Sequence, residues 1–212
     1  MPEEFHARYA AHTKTYLYRI HNHPIDSPFD EKYYTRVPRR LDVDAMQRAA
    51  EQFVGKHDFL ALCAAGSSAA AHGDTVRTIT DCHVTRRGDE IDIEVTADGY
   101  LYNMVRILAG TLCEVGAGRM QPEQIPGILA GCDRSQAGPT LPAKGLFLKC
   151  VEYPDLVINQ TNYSVLYMGK TVEMPPKEIE LLYFLASRPG KVFTREQLLE
   201  QVWGFDFFGD SR

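Results

Sequence analysis

Residues 75–98, TVRTITDCHVTRRGDEIDIEVTAD, contain the strongest fold signal in the sequence. Apolar and polar residues alternate strictly in the second half of this stretch, with apolar Ile91, Ile93, Val95 and Ala97. Such alternation is typical of a strand with one buried face, and Arg87-Gly88-Asp89 supplies a turn before it. The stretch therefore predicts an antiparallel hairpin with one buried face.

Two helices are predicted on either side of this hairpin. The first lies between Leu41 and Gly55, where Asp42 or Asp44 can cap the start and Gly55 can stop the helix. Its apolar positions at helical spacing are Met46, Ala49, Ala50 and Phe53. The second lies in YLYNMVRILAGTLCEVGAG, residues 100–118, and ends at a pair of glycines. Its apolar stripe and these glycines are Met104, Leu108, Leu112, Val115, Gly116 and Gly118.

Further strands and turns complete the first part of the chain. A strand is predicted in KTYLYRI, residues 14–20, because Tyr16, Tyr18 and Ile20 alternate onto one face. A turn follows in residues 22–28, and a short helix is predicted from Pro122 to Leu129. With a closing strand in LFLKCVEY (146–153), this order predicts an α+β fold, an antiparallel sheet with helices on one face.

The composition is that of an ordinary globular protein, with 44% hydrophobic and 24% charged residues, which argues against extended disorder. No stretch approaches the roughly 20 apolar residues of a membrane span, and no signal-peptide pattern is present, so we expect a cytoplasmic location without membrane contact. The five cysteines form no CxxC pair and the histidines show no metal-ligand spacing. Neither a disulfide framework nor a metal site is predicted.

The charge balance bears on nucleic-acid binding. The formal net charge is −5, whereas phosphate binding normally leaves a basic footprint. Any basic surface must therefore be local. The candidate clusters are Arg36, Arg39 and Arg40, and Arg86 with Arg87, although such clusters are more often plain solvated surface.

The sequence changes character after Pro154. Short strands are predicted around a Met168-Gly169 turn, followed by helices in residues 175–190 and 194–204. Thr194 and Gln197 have the spacing of a capping box at the start of the second helix. Two domains are therefore predicted, 1–153 and 154–212.

The first domain resembles a known family through several blocks in order along the chain. These are FHARY (5–9), KTYLYRI, GKHDF (55–59), TVRTI, YLYNMVRILAGTLCEVGAG and DRSQAGPTLPAKGLFLKCVEY (133–153). They resemble the C-terminal half of the tRNA pseudouridine synthases that modify the anticodon arm. The resemblance implies isomerisation without metal or cofactor: an aspartate initiates release of uracil from ribose C1′, and the base rotates and rejoins through C5. It implies tRNA as partner and a homodimer in the intact synthase.

The same resemblance implies roles for three residues. Tyr16 would hold the flipped-out base, Arg106 would pair with the catalytic aspartate, and Arg8 would touch the RNA backbone. Each has an alternative: Tyr16 as a core tyrosine, Arg106 on the wet side of an amphipathic helix, and Arg8 in a surface salt bridge. A guanidinium among Met104, Val105, Ile107 and Leu108 independently favours a carboxylate partner for Arg106.

One departure from the family bears on activity. The catalytic aspartate belongs to an Arg-Thr-Asp motif of the N-terminal half, and these 212 residues contain no such tripeptide. Arg77-Thr78-Ile79-Thr80-Asp81 falls in a strand-like segment instead. We therefore expect the chain to be inactive without a second, aspartate-bearing half.

The second domain resembles the winged-helix output domain of response regulators, through its small sheet, its helix pair and the Asp210-Ser211-Arg212 end. The expectation is a partial domain without recognition helix and wing, and both ends of the chain look cut. Two alternatives to an enzyme fragment stay open: a DNA-binding transcriptional regulator, and a fusion of two fragments without a function of its own.

Overall fold

The computed structural model describes residues 12–25, 32–153, 155–188, 193 and 195–204. The chain divides into two compact units, a larger one of residues 15–148 and a smaller one of residues 1–14 with 149–212. Two strands, the first and the sixth, each cross this division. The predicted boundary residue Pro154 lies outside the described residues, and the domain limits 1–153 and 154–212 stay a prediction.

The larger unit alternates strands and helices. Its elements are β1 (Thr13–His21), β2 (Thr35–Arg36), α1 (Val43–Glu51), β3 (Gly55–Asp58), α2 (Ser68–Ala71), β4 (Val76–Arg87), β5 (Glu90–Ala97), α3 (Met104–Gly116), α4 (Ile125–Gly131) and the start of β6 (Leu146–Glu152). The strand order is β3-β4-β5-β1, and the β3–β4 and β4–β5 pairs are antiparallel. The predicted α+β class with an antiparallel sheet is confirmed for this unit.

The hairpin forms as its sequence predicts. Gly88 has φ +63°, a left-handed conformation that suits glycine, and it turns β4 into β5. Ile91, Ile93 and Val95 have no exposed surface. Asp92, on the opposite side of β5, forms ion pairs with Arg19 and Arg87. The alternation therefore separates an apolar face from a face of paired charges.

The helices supply the other side of the core. Asp42 caps α1 by accepting a hydrogen bond from the Ala45 amide at 3.0 Å. α1 packs against β4 and against α3. One continuous cluster joins the buried helix residues to the inward residues of the strands; it includes Tyr18, Ile20, Met46, Phe53, Ile107, Leu108, Ile125 and Leu129.

The structure corrects several expectations in detail. α1 ends at Glu51, not near Gly55, because Gly55 has φ +119° and begins β3, while Phe53 is buried outside the helix. The sheet is not wholly antiparallel, since Ile20 and His21 of β1 pair in parallel with β2. The helix predicted from Pro122 begins as a 3₁₀ turn before α4, because proline suits the first turn but donates no hydrogen bond. Residues 26–28 of the predicted turn lie outside the described residues.

The smaller unit is a short antiparallel sheet with two helices. Its elements are the end of β6, β7 (Leu156–Asn159), β8 (Ser164–Tyr167), β9 (Lys170–Val172), α5 (Pro176–Ser187) and α6 (Arg195–Leu198), which runs on as a π-helical turn, Leu199–Trp203. The strand order is β6-β7-β8-β9. Met168 and Gly169 form the predicted turn, with φ of +50° and +73°. The predicted cap Thr194 and the Asp210-Ser211-Arg212 segment lie outside the described residues.

Two features concern the whole described chain. None of the helices in these residues has the length and apolarity to cross a bilayer. All five cysteines are free thiols, four of them buried and Cys132 partly exposed.

Candidate functional site

Tyr16 lies on β1 and is half-buried against the core of the larger unit. Its ring meets the ring of Tyr100 edge to face, with 4.9 Å between centroids and 85° between planes. Burial raises the pKa of Tyr16 above the ordinary value of 10, so the phenol stays protonated at neutral pH. Tyr16 therefore presents a neutral ring whose orientation is fixed by a neighbouring ring.

Tyr100 is anchored in its turn. Its hydroxyl donates to the main-chain oxygen of Val95 at 2.7 Å. Burial, the largest cause, raises the pKa of Tyr100 well above its usual range. A tyrosine tied at its hydroxyl and packed along its ring has little rotational freedom, so it can hold Tyr16 in one orientation.

Arg106 lies in the first turn of α3 and is partly buried. Its Nε donates to the Leu141 oxygen at 2.6 Å, and Nη1 donates to Oδ1 of Asn103 at 2.8 Å. Both acceptors are uncharged, and Arg106 makes no ion pair within the described part of the chain. The guanidinium is therefore positioned by neutral oxygens while its positive charge stays uncompensated.

Asn103 holds Arg106 from an unusual backbone position. Its φ of +61° lies in the left-handed region, which asparagine tolerates better than most residues. Tyr100 and Asn103 belong to one loop between β5 and α3, so this loop contacts Tyr16 at one point and Arg106 at another. No hydrogen bond or ring contact joins Tyr16 directly to Arg106 in the described residues.

Segment 138–142 supplies the second acceptor for Arg106. It lies so close to α3 that a Cβ on Gly110 would come within 1.9 Å of the Pro139 oxygen, and one on Gly138 within 2.4 Å of the Thr111 nitrogen. The Gly138 amide donates to the Thr111 hydroxyl at 2.9 Å. This approach of two main chains, possible only with glycine, sets the position of the Leu141 oxygen.

Two carboxylates, one near the loop before α3 and one on β4, are engaged elsewhere. Asp98, two residues before Tyr100, accepts the Thr78 amide at 2.9 Å. Asp81, at the end of the Arg77-to-Asp81 segment, pairs with Nδ1 of His83 at 2.7 Å on β4. Neither forms an ion pair with Arg106.

Tyr16 and Arg106 were predicted as site residues from the sequence, whereas Tyr100, Asn103 and Leu141, which contact them, were not. The YLYN segment before α3 contained the available signal, because asparagine is several-fold enriched among residues with a left-handed backbone. The Leu141 oxygen is a main-chain atom and left no such signal. Arg8 lies outside the described residues. The described residues contain no group of three or more His, Cys, Asp or Glu side chains that could hold a metal ion.

Comparison with known proteins matches the two parts of the chain to different families. A model described as transcriptional regulatory protein, C terminal, matches residues 169–212. The tRNA pseudouridine synthase model matches residues 49–154, half of the chain.

Curated relatives support the match to the tRNA pseudouridine synthase model. Proteins named tRNA pseudouridine synthase A from Caldicellulosiruptor bescii, Brevibacillus brevis and Ruminiclostridium cellulolyticum are 45%, 46% and 48% identical to this chain. The alignments cover 70–72% of this chain and 60–62% of the relatives. The chain thus spans about three-fifths of the length of the relatives it matches. It belongs to the tRNA pseudouridine synthase family.

Proposed function

We propose that the larger unit is the uridine-binding part of a tRNA pseudouridine synthase, and that the 212 residues do not form pseudouridine unaided. The observation that carries this proposal concerns Arg106, whose two hydrogen-bond acceptors are neutral oxygens and which makes no ion pair with a described residue. A partly buried guanidinium with no anion is costly unless a carboxylate arrives to pair with it. The aspartate that initiates the family reaction has the required charge.

Tyr16 is proposed to hold the flipped uracil. A base is inaccessible while it is stacked in RNA, so an enzyme that acts on it must extrude it and support it. A neutral ring fixed by Tyr100 offers a flat apolar surface for this purpose. Arg8 is proposed to contact the RNA backbone, in keeping with its place in the FHARY block.

The proposed chemistry is an isomerisation. The bond from uracil N1 to ribose C1′ breaks, the base rotates, a bond from C5 to C1′ forms, and the proton on C5 is lost while N1 gains one. No oxidant, reductant or metal enters this balance. In the proposal, Tyr16 supports the base and Arg106 stabilises the aspartate, which comes from outside these 212 residues. The homodimer that the family implies stays a prediction.

The proposal is tested with tRNA that carries tritium at uracil C5, since isomerisation releases that tritium to water. We expect no release with the 212 residues alone, and release when a polypeptide of a relative that contains the Arg-Thr-Asp motif is supplied separately. In the reconstituted pair, Arg106→Ala should lower kcat about 100-fold or more. Arg119→Ala is the matched control, because Arg119 is already paired with Glu114. Release by the chain alone would overturn the claim of inactivity.

A second candidate function, DNA binding by the smaller unit, has one observation in its favour: the regulatory-protein model matches residues 169–212. A winged-helix fold for residues 154–212 stays a prediction. Fluorescence anisotropy with duplex promoter DNA is the test. Sequence-selective binding that weakens with salt would support this function, and equal binding to all duplexes would oppose it.

A further inference from the structure

A cleft of about 840 Å³ lies in the larger unit, away from Tyr16 and Arg106. It opens between the segment that leads into α1 and the C-terminal end of α3. Four arginines line it: Arg39, Arg40, Arg48 and Arg86. Residues 106 and 115 are nine positions apart on α3, which places the cleft about 14 Å along the helix axis from Arg106. The cleft is therefore separate from the proposed base site.

Arg86 is the built part of this cleft. Its Nη2 donates to Oδ1 of Asn22 at 2.6 Å and to the Leu41 oxygen at 3.1 Å, while Nη1 donates to the Gly88 oxygen at 3.3 Å. All three acceptors are neutral. The guanidinium is partly buried and held by three hydrogen bonds, and no carboxylate in the described part of the chain forms an ion pair with it.

The other three arginines are exposed and add positive charge to the cleft. Arg39, Arg40 and Arg48 make no side-chain hydrogen bond or ion pair within the described part of the chain. Two carboxylates, Asp42 and Asp44, also line the cleft, and that of Asp42 is occupied in capping α1. The lining is therefore basic on balance in a protein whose net charge is −5.

We propose that this cleft binds backbone phosphates of RNA. Guanidinium groups match phosphate oxygens in charge and geometry. The described residues that line the cleft include no aromatic side chain, so it offers phosphate contacts and no platform for stacked bases. The proposal rests on the proposed function in one respect, that the RNA is tRNA.

Salt-dependent binding of the full chain to a tRNA transcript tests the proposal. We expect Arg39→Gln with Arg40→Gln to weaken binding at least fivefold and to reduce the slope of log affinity against log salt by about 2, about 1 for each lost phosphate contact. The matched control is Lys56→Gln with Lys170→Gln, which removes two exposed charges outside the cleft. The control pair should change affinity less than twofold.

Equal effects of the two double variants, or no binding of tRNA by the unmodified chain, would overturn the proposal. Tighter binding of duplex DNA than of tRNA, lost in the cleft variant, would also overturn it, because the cleft would then serve DNA. The binding assay and the tritium assay test different proposals. If the reconstituted enzyme releases no tritium but the cleft variant loses tRNA binding, the proposed function is wrong and the cleft proposal stands. If the reconstituted enzyme releases tritium but the cleft variant binds tRNA as tightly as the unmodified chain, only the cleft proposal is wrong.

Discussion

The two units differ in how much apolar surface they bury. The core of the larger unit is one continuous cluster that draws on α1, α3, α4 and the main strands. One cluster in the smaller unit joins Ile158, Val165 and Ile179 with partly buried neighbours. The other buried apolar residues in the described part of this unit are Cys150, Val151, Tyr153, Phe184 and Val202. Because burial must offset the conformational entropy lost on folding, we expect most of the stability in the larger unit. That unit also contains Tyr16, Arg106 and the arginine-lined cleft.

The largest expected effect tests the rigidity of the larger unit. In Gly110→Ala the new methyl group would lie 1.9 Å from the Pro139 oxygen, so segment 138–142 must move away from α3. We expect the free energy of unfolding to fall by about 4 kcal/mol or more, measured by urea titration with circular dichroism. Gly127→Ala is the control, because its methyl group meets nothing within 4 Å; on α4 it should stabilise by about 0.5–1 kcal/mol. Equal midpoints for the two variants would contradict the close contact.

A pair of core substitutions compares the units directly. Ile107 and Ile158 are both fully buried, one in each core, and replacement of either by alanine should cost about 2–5 kcal/mol. Hydrogen exchange by mass spectrometry is the measurement. Ile158→Ala should abolish amide protection in β7 and β8 and leave β4 and β5 protected, because the units have separate cores. Loss of protection in both units at once would show that they unfold as one.

Alkaline pH should weaken the larger unit. Burial is the main cause that raises the pKa of Tyr18 to about 12, from 10 for an exposed tyrosine. The protonated Tyr18 phenol therefore makes its full contribution to the free energy of unfolding below pH 10. This contribution is lost as pH rises from 10 to 12, because Tyr18 ionises in the unfolded chain before it ionises in the folded one. The free energy of unfolding should fall by about 2 kcal/mol over this pH range. Urea titrations at several pH values between 10 and 12 measure the fall. Tyr18→Phe should show a shallower decline, and an unchanged decline would exclude Tyr18 as its source.

The smallest expected effect concerns the anchor of Tyr16. Tyr100→Phe keeps the ring but removes the hydrogen bond to the Val95 oxygen, which should cost about 1 kcal/mol. Tyr167→Phe in the smaller unit is the control and should be neutral, because Tyr167 is 53% exposed. Thermal denaturation of both variants is the measurement. A larger loss from Tyr167→Phe would reverse the ranking of the two units.

Local patterns predicted the elements of the larger unit better than their ends and pairings. The alternation from Ile91 to Ala97 and the Asp42 cap depend on neighbours in sequence, and both are confirmed. Phe53 continues the apolar spacing of α1, yet α1 ends at Glu51. Phe53 is buried by tertiary packing after the end of the helix, so its spacing did not indicate helical structure. The parallel pairing of β2 with β1 involves two residue pairs and has no local signal.

In the candidate site, too, residues with a signal in their own segment were predicted, whereas contacts between distant segments were not. Tyr16 and Arg106 were identified through motif blocks, and their roles stay predictions. The Leu141 oxygen that holds Arg106 belongs to a residue 35 positions away, and its placement depends on Gly110 and Gly138. Contacts of this kind arise from the folded chain as a whole, so no pattern within one segment could predict them.

The approach of two main chains at Gly110 and Gly138 constrains how this sequence can vary. Where two side chains touch, enlarging one can be balanced by shrinking the other. Here the obstructing atoms are the Pro139 oxygen and the Thr111 nitrogen, which every replacement retains. If positions 110 and 138 are randomised together and folded variants are selected, only the glycine pair should be recovered. No other combination can compensate, because the atoms that obstruct a larger residue belong to the main chain.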